Sequence, residues 1–218
     1  MAQPPRTRRT RQDIRAQLID AALVEFAEFG FEGASTRSIA RRIDAHQPQI
    51  NYHFESKEAL WTAAVDHLFA QLRLALGPLA TTVDAPADID LVALAGAFAD
   101  GIRGYVRFAA AHPELNRIMI HEGTVDTERL RWMTATHVQP IYDAIRPVWR
   151  RLRDAGIAAP VDDELFHYVL VGAVSLPYVQ APEARLLTGR DPFDPDVVER
   201  HADSVVAMLL PKLGRRER

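Results

Sequence analysis

The chain has 218 residues, 48% of them hydrophobic and 25% charged, which is enough for one large domain or two small ones with a buried core. It contains no cysteine, so disulfides, thiolate-bound zinc and thiol redox sensing are excluded. No apolar run is long enough for a membrane span, and the basic N-terminus leads into an amphipathic segment rather than a signal-peptide core. We therefore expect a cytoplasmic protein. Only Lys57 and Lys212 are lysines among the 26 basic residues, which with the abundant alanine indicates a GC-rich bacterial genome.

The charge is unevenly distributed along the chain. The formal net charge is −3, yet residues 1–57 hold nine Lys or Arg against seven Asp or Glu, so the acidic excess lies in the remainder. One acid, Asp13, accompanies the arginines nearest the N-terminus, which are Arg6, Arg8, Arg9, Arg11 and Arg15. We expect residues 1–11 to be a basic, disordered arm, and we expect affinity for a polyanion to depend on a few placed cations.

Two helices are predicted after this arm. Apolar side chains recur with a period near 3.6 residues from Asp13 to Gly30, where a left-handed residue would close the helix at little cost. A second helix is predicted to begin after Ser35 or Thr36 as N-cap. Its buried stripe would consist of Ile39, Ala40 and Ile43.

A third helix follows a short break. The segment 44–46 has the length of the turn in a helix-turn-helix. Pro48 then falls in the first helical turn, where its missing N–H would have had no intrahelical partner. Ile50 and Phe54 lie four residues apart and are expected to face inward. The other faces of this helix carry Gln47, Gln49, Asn51, Tyr52 and His53.

The outward side chains of the third helix suit nucleic acid. Glutamine and asparagine can make paired hydrogen bonds to an adenine edge in the major groove, whereas tyrosine, histidine and lysine suit phosphate oxygens. On an isolated helix such a face is ordinarily a solvated surface, and an arginine-rich terminus is ordinarily a disordered tail. Here both accompany two helical patterns of the right spacing, so the combination favours sequence-specific DNA binding.

Further landmarks are spread over residues 12–61. They are Ile19-x-x-Ala22, Phe26, Gly30-Phe31, Thr36, Ile39-Ala40, Gln47-Pro48, Ile50, Tyr52-His53-Phe54 and Ser56-Lys57-Glu58-x-Leu60. In these residues the segment, about a quarter of the chain, resembles the DNA-binding domain of the tetracycline-repressor (TetR) family of transcriptional regulators. The resemblance implies that residues 12–57 form a helix-turn-helix DNA-binding domain.

The resemblance also implies which residues meet double-stranded DNA. The first three residues of the third helix would meet base edges, and the middle of that helix would contact bases or backbone. The remaining positions would contact phosphate. The full set is Thr36, Arg37, Gln47, Pro48, Gln49, Asn51, Tyr52, His53 and Lys57.

The turn and the third helix depart from the family pattern. Many relatives have Ala-Gly-Val-Ser where this chain has Ile43-Asp44-Ala45-His46, and Asn51 stands where an aromatic residue is common. Asp44 would place a negative charge near the DNA backbone unless it faces away. These departures leave the expected fold unchanged but blur any inference about the operator sequence.

The rest of the chain is predicted to be helical. No alternating strand pattern occurs, so we expect an all-α protein of about nine helices, in which residues 58–214 form a ligand-binding and dimerisation domain. A connecting helix is expected over residues 58–76, followed by a loop over 77–90. Later helices are predicted over 89–111, 113–122, 126–155 with interruptions near Pro140 and Pro147, 162–179 and 195–210.

The middle helices contain many aromatic residues, methionines and histidines. By the resemblance, this region encloses a cavity for a small, largely apolar effector. The candidate lining residues are Phe98, Tyr105, Phe108, Met119, His121, Trp132, Met133, His137, Tyr142 and Trp149. The alternative for each is ordinary core packing. A metal site from His112, His121, Glu122 and His137 is conceivable, but the spacing is not diagnostic, and we expect neither a metal nor a cofactor.

The last two predicted helices have more apolar surface than one stripe requires. This surface is either buried within its own domain or shared with a second copy, and the resemblance favours a four-helix interface in a homodimer. The candidate interface residues are Leu165, Phe166, Val169, Val198, Val205 and Leu209. A two-fold dimer would present two third helices to a palindrome, with half-sites spaced by about 34–36 Å or a multiple.

Two classes of function remain at this point. The first is a transcriptional regulator, specifically a repressor that binds a palindromic operator and is released by a small-molecule effector. The alternative is an all-helical enzyme or small-molecule-binding protein with an incidental helix-turn-helix resemblance. The chain has no glycine-rich phosphate loop, Gly-x-Ser-x-Gly or His-Glu-x-x-His motif, so no catalytic residues are proposed and a non-enzymatic function is expected.

Overall fold

The computed structural model describes residues 11–77, 79 and 89–213, and these residues form helices, turns and loops without a β-strand. Counting residues 128–154 as one helix, the described part contains ten helices. The helices are α1 (Arg11–Gly33), α2 (Thr36–Arg42), α3 (Gln47–His53), α4 (Lys57–Ala75), α5 (Leu91–Ala111), α6 (Pro113–Glu122), α7 (Glu128–Met133, Thr134–Val138 and Gln139–Asp154), α8 (Phe166–Val179), α9 (Ala181–Thr188) and α10 (Pro195–Leu209). In the described ranges, no helix combines the length and apolar character needed to cross a bilayer.

The all-α class and most predicted helices are confirmed. One helix, α9, was not predicted, and α8 begins at Phe166 rather than at Asp162 because residues 163–165 form turns. In that region the carbonyl oxygen of Asp162 accepts from the amides of Leu165 and Phe166. The basic arm over residues 1–10 and most of the predicted loop over 77–90 lie outside the described residues.

The first helix is broken near its end at Gly30. This residue has φ 66° and ψ 178°, so the helix interrupts there, as predicted, before a last short turn to Gly33. A side chain at this position would strain the backbone and would bring its Cβ within 3.3 Å of Nδ1 of His121. The break therefore allows α1 to approach the C-terminal end of α6 closely.

The helix α4 connects the first three helices to the remainder. Its buried face includes Trp61, Leu68 and Phe69, and it packs against both α1 and α5. A Cβ at Gly104 would lie 2.3 Å from the carbonyl oxygen of Ala75, so α4 and α5 approach each other closely at the end of α4. A displacement of α4 would therefore change its contacts with both α1 and α5.

The long helix α7 contains a π-helical segment, Thr134–Val138, directly before Pro140. The amide of Gln139 donates to the carbonyl oxygen of Thr134, five residues earlier. Pro140 has no N–H to continue the α-helical ladder, which explains why the irregularity predicted near this proline takes this form. Pro147 is accommodated inside the following helical segment.

Candidate nucleic-acid interface and ligand cavity

A side-chain hydrogen bond joins the first residue of α2 to the first residue of α3. Ser35 caps α2, with its hydroxyl oxygen accepting from the amide of Ser38 at 3.0 Å. The amide Nε2 of Gln47, the first residue of α3, donates to Oγ1 of Thr36 at 3.4 Å. Thr36 and Gln47, two of the residues predicted to contact DNA, therefore lie next to each other. Arg37 beside them is exposed.

One residue in the turn between these helices has a left-handed backbone conformation. Asp44 has φ 54°, in the left-handed region that glycine adopts freely and aspartate tolerates better than most residues. It occupies the place of the glycine that many relatives have. The turn keeps its shape because the amide of Ala45 donates to the carbonyl oxygen of Ala40 at 3.0 Å.

The helix α3 presents one polar face and buries the other. Ile50 and Phe54 are 1% and 6% exposed, as predicted for its inner face, whereas Tyr52 is 64% exposed. Gln47, Pro48 and Asn51 are also exposed, and His53 is half-buried. The side chain of Gln49 lies outside the described part of the structure.

The cations near this face differ in their surroundings. Arg42 donates to Glu25 and to Glu28 of α1, both at 2.9 Å, and these carboxylates, Glu25 foremost, raise the pKa of Arg42. Because Glu25 is buried, Arg42 stabilises the fold by neutralising this carboxylate. Arg37 and Arg41 are exposed, and Arg41 is a candidate phosphate contact that the sequence interpretation did not include.

Lys57 lies at the first residue of α4, capped by Ser56, whose hydroxyl oxygen accepts from the amide of Ala59 at 3.0 Å. Its ammonium group is 4.5 Å from the ring centre of Phe31. The helix start favours an anion nearby, which is compatible with the predicted phosphate contact. Lys57 therefore also fixes the junction between α1 and α4.

A second cation also contacts the ring of Phe31. Arg129, at the start of α7, lies 3.8 Å from the ring centre of Phe31. It donates through Nε to the buried carboxylate of Glu122 at 3.2 Å and through Nη2 to Glu32 at 3.3 Å. Thr127 also donates to Glu122, at 3.4 Å. This group, here called the α1–α6 junction, ties the end of α1 to the end of α6.

An apolar cavity of about 60 Å³ lies among helices α4 to α8. Its wall comprises Phe69, Leu72, Leu76, Leu79, Phe98, Gly101, Ile102, Tyr105, Leu115, Met119, Val138, Ile141, Ile145, His167, Leu170 and Val171. Three of the predicted lining residues, Phe98, Tyr105 and Met119, are in this wall. Ligand pockets commonly have about 300–1,000 Å³, so this one is narrow.

Few polar groups reach this cavity. The hydroxyl of Tyr105 donates to Oδ1 of Asn116 over a long 3.5 Å, and burial raises the pKa of Tyr105 well above its usual value. Nδ2 of Asn116 is buried and has no hydrogen-bond partner among the described residues. Burial also lowers the pKa of His167, which keeps its imidazole neutral. No arginine or lysine is among the described residues of this wall.

The other predicted lining residues lie outside the inner wall, and their contact with an effector stays a prediction. Phe108 borders a separate surface groove, His121 faces Gly30, and Tyr142 belongs to an outer chamber described below. Met133 is buried in the core. The remaining three are packed aromatic residues, namely Trp132, His137 and Trp149.

Packing explains these three positions. Trp132 lies edge-on between Trp61 and His137. His137 stacks on Phe69 with ring centres 4.5 Å apart, and its Nε2 is 2.9 Å from Oδ1 of Asp66. Burial lowers the pKa of His137, and Asp66 acts in the opposite direction. These side chains form the layer behind the cavity wall.

Trp149 has a similar structural position. Its ring stacks on Phe166 with centres 3.9 Å apart, and its Nε1 donates to the carbonyl oxygen of Val161 at 3.0 Å. The ring face and the Nε1–H group of the indole therefore both have partners within the protomer. Its aromatic character therefore serves core packing between α7 and α8.

An outer chamber adjoins the cavity between α7 and α8. Its wall comprises Ile141, Tyr142, Ile145, Arg146, Asp163, Phe166, His167 and Leu170. Four residues belong to the walls of both spaces, namely Ile141, Ile145, His167 and Leu170. The inner cavity and the outer chamber are therefore separated by single side chains.

The predicted dimer residues divide into two groups. Leu165 and Val169 are 57% and 37% exposed, which leaves them available to a partner. The other four, Phe166, Val198, Val205 and Leu209, are buried because they pack within the protomer, and their place in a dimer interface stays a prediction. An exposed stripe, here called the α8 stripe, consists of Leu165, directly before α8, and of Tyr168, Val169, Gly172 and Leu176 on α8.

In the described part of the chain, no group of three or more histidines and acids is placed to hold a metal ion. The four residues considered from sequence are dispersed. His137 pairs with Asp66, Glu122 pairs with Arg129, and His121 lies against Gly30. His112 caps the start of α6 beside Phe108.

Comparison with known proteins agrees with this architecture. Residues 18–64 match the family model described as "Bacterial regulatory proteins, tetR family". A relative named "Probable HTH-type transcriptional regulator YttP", from Bacillus subtilis (strain 168), is 25% identical over 122 residues. That match covers 56% of each chain, so it spans about half the length of the relative.

Solved structures share the fold over nearly the whole chain. AibR in complex with isovaleryl coenzyme A and operator DNA is 20% identical, with a TM-score of 0.69 and coverage of 90% of this chain and 98% of that one. HlyIIR, a hemolysin II transcriptional regulator, is 16% identical, with a TM-score of 0.57 and coverage of 89% and 98%. The N-terminal segment therefore matches the model of the tetR family, and the chain as a whole shares its fold with these solved regulators.

Proposed function

We propose that the chain is a DNA-binding transcriptional regulator, specifically a repressor that binds a palindromic operator as a homodimer and leaves it when a small molecule binds. In this proposal residues 12–57 bind DNA and residues 58–214 bind the effector and the second copy, with α4 as the connection. It acts in the bacterial cytoplasm and has no catalytic function.

The observation that carries the proposal is the face of α3. Its apolar side is fully used against the core, through Ile50 and Phe54, while Asn51 and the 64% exposed Tyr52 remain outside. Side chains of these types suit base edges and phosphates in a major groove. The match of residues 18–64 to the tetR family covers this same segment.

The dimer is supported by the exposed stripe on α8. Leu165, Tyr168 and Leu176 are 57%, 72% and 51% exposed, which is unusual for large apolar side chains repeated along one helix. A two-fold contact through this stripe would bury it against its own copy and would give a paired arrangement of the two α3 helices.

The release mechanism is supported by two helices that touch both the cavity and α1. Phe69 of α4 and Met119 of α6 are in the cavity wall, and both helices pack against α1. Because the cavity holds only about 60 Å³, a ligand larger than this must displace parts of the wall that α4 and α6 provide. AibR, which shares the fold, has been solved in complex with isovaleryl coenzyme A and operator DNA. A coupling of about 1–3 kcal/mol would weaken operator binding several-fold to a hundredfold.

The test is fluorescence anisotropy of the protein against a selected pool of DNA duplexes at two salt concentrations. We expect tight binding to a palindromic subset, weakened by salt. The variant Asn51→Ala/Tyr52→Ala should lose this binding while keeping its helical content, whereas His67→Ala, an exposed position on α4, should not. Weak binding that is equal for all sequences and unchanged in the double variant would favour the alternative of a helical small-molecule-binding protein.

A further inference from the structure

The outer chamber differs from the inner cavity in one chemical respect, which is charge. Arg146 is in its wall, together with Tyr142 and Asp163, whereas no cation lines the inner cavity. From this division we propose that the effector is an acyl chain with an anionic head, in which the chain enters the inner cavity and the head binds Arg146. The inference rests on the proposed function only in treating the cavity as the effector site.

The inner cavity excludes a charged group. Its wall is almost entirely hydrocarbon, apart from the Tyr105 hydroxyl and the neutral imidazole of His167. An ion transferred there would lose its hydration without gaining a partner of opposite charge, at a large cost in free energy. A flexible alkyl chain, in contrast, suits a narrow apolar space and requires the least widening of the wall.

Arg146 is the cation best placed to hold the head. Its Nε is 4.0 Å from Oδ2 of Asp163, which is beyond hydrogen-bond distance, and its guanidinium lies 5.4 Å from the ring centre of Tyr142. A hydrogen bond with Tyr142 is the main cause that raises the pKa of Arg146. The planar guanidinium has five donors, so those that Tyr142 does not use can bind a carboxylate or a phosphate with two parallel hydrogen bonds.

The carboxylate of Asp163 does not oppose an anionic head, because other arginines neutralise it. Oδ2 accepts from Nε of Arg150 at 3.1 Å, and Oδ1 accepts from Nη1 of Arg153 at 3.3 Å. These arginines, Arg150 foremost, lower the pKa of Asp163 and keep it ionised. For the same reason Asp163 is a poor partner for a cationic ligand.

The path between the two spaces is short and apolar. Ile141, Ile145 and Leu170 border both, and the ring of His167 stands between them, edge-on to Tyr142 with ring centres 5.9 Å apart. A chain passing these residues would have its head at Arg146 while its end approaches Phe98 and Tyr105. One elongated molecule can thereby reach both spaces, which hold about 60 and 20 Å³ and must widen to admit it.

Isothermal titration calorimetry without DNA tests the inference, with three probes of equal chain length. These are sodium octanoate, octanoyl coenzyme A and the uncharged methyl octanoate. We expect at least one anionic probe to bind about tenfold more tightly than the ester, as one charge-assisted hydrogen-bonded contact provides. Preference for octanoate would identify a carboxylate head, and preference for the thioester a phosphate-bearing one.

Variants assign the preference to Arg146. Arg146→Gln should lower affinity for the preferred anion to that of the ester and leave ester binding unchanged, while Arg146→Lys should keep part of the preference. The control is Arg131→Gln, which removes an exposed arginine of the same helix. Thermal melting of each variant checks that it is folded.

Two results would overturn the inference: an ester that binds as tightly as both anions, or unchanged anion affinity in folded Arg146→Gln. Because no DNA is present, neither result bears on the proposed operator binding. Conversely, loss of operator binding with intact anion binding would reject the regulator and keep the ligand assignment.

Discussion

The guanidinium of Arg129 lies 3.8 Å from the ring centre of Phe31, although the two residues are far apart in sequence. The same guanidinium bonds to Glu122, which is only 5% exposed. One side chain therefore contacts the end of α1 and neutralises a buried carboxylate at the end of α6. Since α6 also provides Met119 to the cavity wall, this junction lies between the cavity and α1.

Removal of Arg129 is expected to destabilise the protein. Arg129→Ala leaves Glu122 buried without its cation, which should lower the free energy of unfolding by about 2 kcal/mol. The measurement is urea denaturation. Arg131→Ala, whose exposed pair with Asp126 is worth little, is the matched control and should change stability by less than about 0.5 kcal/mol. Recovery in Arg129→Ala/Glu122→Gln would locate the effect in the buried carboxylate, whereas no recovery would contradict this explanation.

The backbone of Asp44 offers a second test. Asp44→Gly removes a left-handed strain of about 1 kcal/mol but adds freedom to the unfolded chain, so the net gain in stability should be small. Asp44→Ala should be less stable than either. Asp44→Asn keeps the tolerance for φ 54° and removes the charge. If Asp44 faces the DNA, the Asn variant should bind the operator more tightly at low salt, as measured by anisotropy. Unchanged affinity would show that the carboxylate faces away.

The stability of the protein should decrease in mild acid. Burial lowers the pKa of His137, His167 and His201 below the value near 6.5 of an unfolded histidine. The unfolded chain then binds protons first, so stability is fully present above about pH 7 and is lost as the pH falls through 6.5 towards the folded pKa values. Melting temperatures at pH 7.5 and 5.5 measure this loss.

One of these histidines can be replaced with little change in bonding. Nδ1 of His201 accepts from the Tyr178 hydroxyl at 2.9 Å and Nε2 donates to the carbonyl oxygen of Ala173 at 3.0 Å. Glutamine offers an acceptor and a donor of similar reach but does not titrate. His201→Gln should therefore reduce the pH dependence of the melting temperature, and an unchanged dependence would assign it to other groups.

The exposed α8 stripe predicts the effect of a charge placed on it. Val169→Glu/Leu176→Glu should yield a monomer in analytical ultracentrifugation and should abolish tight operator binding, because one α3 helix reads only a half-site. Leu74→Glu alters a leucine on α4 that is even more exposed and should leave the dimer intact. A dimer that persists in the double variant would exclude this stripe as the interface.

Local sequence patterns were sufficient to predict the helices that bury a stripe of apolar side chains. The cap at Ser35, the break at Gly30 and the inward pair Ile50 and Phe54 all follow from spacing within a few residues. The missed helix α9 explains the limit of such patterns. Its leucines, Leu186 and Leu187, are 87% and 77% exposed, so no buried period marks it.

The candidate site required information that periodicity does not contain. Phe98 and Trp149 are both fully buried aromatic residues, yet the first lines the cavity and the second is stacked on Phe166. Burial and residue type are the same, and only tertiary placement separates them. The pairing of Arg129 with Phe31 is likewise a product of the assembled fold, because it joins segments that no local pattern relates.

The apolar cavity has a consequence for the abundance of the protein in a cell. A ligand that binds the folded chain and not the unfolded one adds its binding free energy to the stability of the protein. Because cellular proteases remove transiently unfolded chains, the occupied form would survive longer than the empty one. Effector supply would thus set the lifetime of the regulator as well as its occupancy of the operator.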